Sequence, residues 1–162
     1  MFTRTRTHFL ATALIVVSLV VAAASPGAPQ NTPPDLDALA KKAGLTTPFA
    51  SWCRAEFRSG QKGAFAVAVR RTEGGGRYVA LQADGTSIEL SAFTGSPDLS
   101  CYSRAGAEDL DRTLKRSDTI HGHVTPRWNT TVVCGFVDNT TASCWQYAPA
   151  DRAFVQVGRW VT

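Results

Sequence analysis

The chain has 162 residues, of which 44% are hydrophobic, with 17 Lys+Arg against 13 Asp+Glu and four cysteines. Arg4 and Arg6 belong to an N-terminal segment with its own role, and without them the basic-to-acidic balance falls to 15 against 13. So small an excess excludes nucleic acid or an anionic membrane as the partner that composition would name.

The N-terminus has the layout of a secretory signal peptide. Arg4 and Arg6 form a positive start, Phe9 to Ala24 is a mainly apolar run of 16 residues, and Ala22-Ala23-Ala24 precedes Ser25-Pro26. As a helix the run would reach ~24 Å, short of the roughly 30 Å hydrocarbon core, so a signal is expected rather than an anchor. Cleavage after Ala24 would leave 138 of the 162 residues, enough for one domain and too few for two. The expected division is a signal over 1–24, a tether over 25–34 and a single domain over 35–162. The tether holds Pro26, Pro29, Pro33 and Pro34. The expected location is secreted or periplasmic, with no membrane contact after cleavage.

A short helix should follow. Asp35 can cap it, Leu36, Leu39, Ala40 and Ala43 recur on one face, and Gly44 can end it. Trp52 to Phe57 reads as a strand. Phe65, Val67 and Val69 then alternate with Ala64, Ala66 and Ala68, which predicts a strand with one large and one small face. Gly74-Gly75-Gly76 predicts a loose turn, and nearby Arg70, Arg71 and Arg77 suit a solvated hairpin tip. Tyr78 to Leu81 and Ile88 to Phe93 flank Asp84-Gly85, a hairpin signal.

Residues 94–103 look like a connection, and Ala105 to Arg116 like a second helix, with early acids and late bases matching its dipole. Further strands are predicted at Ile120–Val124, Thr131–Val137, Ser143–Tyr147 and Phe154–Val161. The expected class is α+β: a mainly antiparallel, curled sheet, barrel-like in outline, with two short helices and two disulfides.

Cys53, Cys101, Cys134 and Cys144 allow three connectivities, and the absence of C-x-x-C spacing argues against a redox pair or a zinc knuckle. Two segments overlay at an offset of 55 residues: Val79 to Thr86 lies over Cys134 to Thr141, each an apolar strand, an Asx-rich turn and a return. The second copy, with Cys134, Cys144 and Trp145, resembles a hairpin of secreted regulator-of-chromosome-condensation-type propeller repeats. That likeness covers about a dozen residues per copy and lacks the glycine after the tryptophan, and the chain is too short for a set of propeller blades. What survives is the hairpin. Centred on Asn139, it sets Cys134 opposite Cys144 within disulfide reach, which leaves Cys53 to Cys101.

Two constellations carry candidate chemistry. His121 and His123 would share a strand face, with Asp118 nearby, as a metal site or proton relay requires. They are the only histidines past the signal, so the ligand set is short, and no cofactor is expected. Trp145 and Tyr147 would also share a face, either as an exposed clamp for a sugar or peptide or as part of an aromatic core. Asn129-Thr-Thr131 and Asn139-Thr-Thr141 are glycosylation sequons. The expected function is a non-enzymatic, inhibitor-like binding module for a secreted protein or envelope glycan. The alternative is a secreted hydrolase or metal-dependent enzyme centred on His121 and His123.

Overall fold

The computed structural model describes residues 31–71, 74–103, 106, 110, 129–138 and 140–161. One helix, α1 (Pro34–Lys42), precedes eight strands: β1 (Ser51–Ala55), β2 (Ala64–Arg70), β3 (Gly75–Leu81), β4 (Ser87–Thr94), β5 (Pro97–Tyr102), β6 (Val132–Val137), β7 (Thr141–Ala148) and β8 (Ala153–Val161). They form two four-stranded antiparallel meanders, ordered β1-β2-β3-β4 and β5-β6-β7-β8.

The alternation in β2 explains the layering. Its small face, Ala64, Ala66 and Ala68, joins Ala80 and meets the bulky Val133, Trp145 and Tyr147 of the second sheet. Its large face, Phe65 and Val67, joins Val79 and Leu81 under Leu36 and Ala40 of α1. Alanine on one side and large rings on the other let the sheets interdigitate closely. A third cluster, Val132, Cys134, Cys144 and Val157, covers the far face of the second sheet and receives Leu110.

Several expectations change. The sheets remain two separate layers, since β1 and β4 form no ladder with any strand of the second sheet, so the barrel does not form. Residues 97–102, read as connection, are the edge strand β5. Its proline sits at the first position, where a missing N–H costs a ladder nothing, and Leu99 is its one buried side chain. Gly75 and Gly76 belong to β3 rather than to a turn. A Cβ on Gly76 would lie 2.4 Å from the Phe93 ring, so the glycine is there to admit that ring. The helix begins one residue early, with Pro34 at its first position and Asp35 inside the first turn instead of at the cap. Gly44, at φ +68°, ends it as expected. Of the predicted second helix only Gly106 and Leu110 are described, and the strand predicted at 120–124 lies outside the described residues.

Both disulfides have the expected partners. Cys134 opposes Cys144 in the β6–β7 ladder with Cα atoms 4.1 Å apart, and Cys53–Cys101 joins β1 to β5 across 5.8 Å. Two closed bridges point to an oxidising extracellular or periplasmic environment. Among the described residues no helix is long and apolar enough to cross a membrane.

Candidate functional site

The sandwich is sewn shut along one side. Beside the Cys53–Cys101 bridge, Ser51 Oγ donates to Asp98 Oδ1 at 2.9 Å and accepts from Leu99 N at 3.1 Å. Further along, Glu56 N donates to Thr131 Oγ1 at 2.7 Å and Thr131 N donates to the Glu56 carbonyl at 2.8 Å. The opposite side, where β4 and β8 are the outer strands, carries no such stitching among the described residues.

There the sheets diverge into a cleft of about 330 Å³. Tyr78, Gly135 and Trp145 form its floor, and Ser91, Ser143 and Arg159 stand among its walls and mouth. The floor is built with little slack. A Cβ on Gly135 would approach the Tyr78 ring to 2.6 Å, so the ring lies directly on the β6 backbone. Its hydroxyl donates to the Phe136 carbonyl. Burial, then the Asp98 and Asp138 carboxylates, push the Tyr78 pKa far above the ordinary phenol value, so the group stays a donor at any working pH. The Tyr78 and Trp145 rings meet at 5.8 Å with a 46° tilt.

Both floor rings stand beside a bulge. Tyr78 opposes Ser91 while Val79 opposes Glu89, leaving Leu90 as the extra residue in β4. Cys144 opposes Gly158 while Trp145 opposes Gln156, leaving Val157 extra in β8. Each sheet is therefore interrupted between its third and fourth strand, at the ring it sends into the cleft. A bulge re-aims side chains and turns an edge strand away from its neighbour, which is what an opening between sheets requires.

At one end the cleft is tied off by the turns. Asp138, in the left-handed region at φ 49°, accepts from Ser96 N at 2.9 Å, and its own N–H donates to the Ser96 carbonyl at 3.0 Å. Gly95 is needed for this clasp, because φ is +99° there and a Cβ would lie 2.2 Å from Asp138 Oδ2.

Trp145 and Tyr147 do share a face, and it is the interior one: they are 5% and 4% exposed. The exposed clamp considered from sequence is not present at this face. Tyr147 is enclosed by Phe154 at 5.4 Å and by the Arg58 guanidinium at 5.0 Å over its ring, and its hydroxyl accepts from Arg58 at 2.9 Å. Trp145 alone of the pair reaches the cleft. Asp118, His121 and His123 lie outside the described residues. Among the described residues no group of three or more His, Cys, Asp or Glu could hold a metal ion.

The wall and rim residues Ser91, Gln156 and Arg159 escaped the sequence reasoning. No motif marks them, because they converge only through the two bulges and the packing of one sheet on the other. A comparison with protein-family models, curated proteins and solved structures finds no match.

Proposed function

We propose that the chain is an exported binding module, and that the cleft on the open side of the sandwich is where it holds its ligand. In this reading residues 1–24 direct export, 25–34 form a tether and 35–162 are the working domain. The partner is an envelope glycan or another secreted protein. One observation carries the reading: a cleft with an aromatic floor and a polar rim, opened by paired bulges on the unstitched side of an otherwise stapled domain. Clefts of this kind take ligands by burying an apolar patch and fixing orientation with a few polar groups.

The test uses envelope material and secreted protein from the source organism. The purified chain should be retained on one of them, and Gln156→Trp should abolish that retention. Gln156 is exposed, lines the cleft and shares the face of its partner Trp145, so the indole would fill the opening without entering the core. Retention of Gln156→Trp at wild-type strength, with an unchanged melting midpoint, would overturn the cleft as the binding site.

A further inference from the structure

We infer that the ligand of this cleft is an acidic saccharide, a sugar ring bearing a carboxylate, anchored by Arg159; the inference rests on the cleft being a binding site. Among the described residues Arg159 is the one charged residue on its lining, and no Asp or Glu borders it. Arg159 is also exposed, and among the described residues it forms no ion pair. A guanidinium held at the mouth of a cleft with no counter-charge among the described residues suits a carboxylate, which it can bind through two parallel N–H groups.

The remaining lining favours a sugar over a peptide. Ser91, Thr141 and Ser143 offer hydroxyls and Gln156 an amide, so the walls both donate and accept, as a ring carrying several hydroxyls demands. The Trp145 and Tyr78 rings supply the apolar floor. An extended peptide would instead add to a strand edge and needs that edge regular. Both edges beside the cleft are broken, β4 at Leu90 and β8 at Val157. The volume, about 330 Å³, is near the lower end of the range for ligand sites, roughly 300–1,000 Å³, and suits a short length of ligand.

Three probes decide the matter by calorimetry and by amide and indole chemical shifts: trigalacturonate, its fully methyl-esterified form, and tetraglutamate. Trigalacturonate should bind and shift the Trp145 indole and the Ser91 and Ser143 amides. Esterification, which removes the charge and keeps the rings, should weaken binding about tenfold, as loss of a charge-assisted hydrogen bond does. Arg159→Gln should weaken trigalacturonate by a similar factor with an unchanged melting midpoint, and added salt should weaken the wild type more than the variant.

Equal affinity for the ester would overturn the acidic element. Binding of tetraglutamate in the cleft with trigalacturonate inert would overturn the saccharide. No response to trigalacturonate would overturn the inference as a whole. The Gln156→Trp retention experiment separates these failures from failure of the cleft: retention that depends on the cleft leaves the binding site standing while its ligand class falls.

Discussion

The two long sides of this sandwich are built in opposite ways. Along β1 and β5 the sheets are joined by the Cys53–Cys101 bridge and by Ser51 holding both Asp98 and the Leu99 amide, and just beyond them by Glu56 and Thr131, where the Thr131 hydroxyl accepts from Glu56 N and the Glu56 carbonyl accepts from Thr131 N. Along β4 and β8 each outer strand carries a bulge, and the space between the sheets is left to two rings and a polar rim. A small domain has little stability to spare, a net of about 5–15 kcal/mol. Concentrating covalent and hydrogen-bonded links on one side lets the other diverge without losing the fold. The teaching of the contrast is that the stitched side answers to stability and the open side to binding, and substitutions on the two should separate accordingly.

The largest expected effect comes where both sides share material, in the core beneath the cleft. Trp145→Ala should destabilise by about 3–5 kcal/mol, since it removes a nearly enclosed ring packed on Tyr78 and leaves a cavity between the sheets. Chemical denaturation measures it, and a midpoint close to wild type would mean that the ring does not support the sandwich.

Next is the stitched side itself. Replacing Cys53 and Cys101 together by alanine should cost about 4 kcal/mol, because the bridge closes a loop with a sequence separation of 48. The same change at Cys134 and Cys144, separated by 10, should cost about 3 kcal/mol and leave the register in place, since the β6–β7 ladder is also held by its backbone bonds. Equal or reversed losses would show that loop entropy is not what ranks the two bridges.

How far these sides were legible from the sequence follows from the range of the interactions. The β6–β7 hairpin was, down to Cys134 opposite Cys144 and Val133 opposite Trp145, because an Asx-rich turn and a period of two set a register locally. The large and small faces of β2 were legible for the same reason. Strand β5 was not, since Pro97, Asp98 and Ser100 read as loop and only Leu99 is buried; its pairing with β6 spans a long stretch of chain. The cleft was not legible either. Trp145 stood out as an aromatic, but whether its face looked outward or inward depended on a second sheet that no local pattern announces. Arg159 and Ser91 gain their meaning only from the bulges in their own strands, at Val157 and Leu90.

A smaller effect is expected at Ser51, which lies on the stitched side without a covalent bond. Ser51→Ala removes the hydroxyl that Asp98 accepts from, and it deprives the buried Leu99 amide of one of its two acceptors. The Asp98 carboxylate still takes the Leu99 N–H at 2.8 Å, so the loss should stay at about 1–2 kcal/mol. Ser51→Thr, which keeps the hydroxyl, should recover part of it. A loss as large as that of the bridge would mean that this hydrogen-bond cluster, and not the disulfide, joins the sheets.

The smallest effect is expected on the open side, and it is the one that makes the contrast decisive. Gln156 and Arg159 are exposed, and among the described residues the one side-chain hydrogen bond of either is a long 3.5 Å contact from Gln156 to the Gly158 carbonyl. A contact of that length contributes little, and an exposed cation without an ion pair among the described residues contributes less. Gln156→Ala and Arg159→Gln, singly or together, should therefore change stability by no more than about 0.5 kcal/mol. In a domain of this size that is a shift of only about 2 °C in Tm. The substitutions leave the floor untouched, since Trp145 and Tyr78 are held by the core and by the Phe136 carbonyl. A clear fall in Tm for either variant would make the rim part of the scaffold and erase the division between a stitched side for stability and an open side for binding. An unchanged Tm together with lost retention on envelope or secreted material would place the rim's role in recognition.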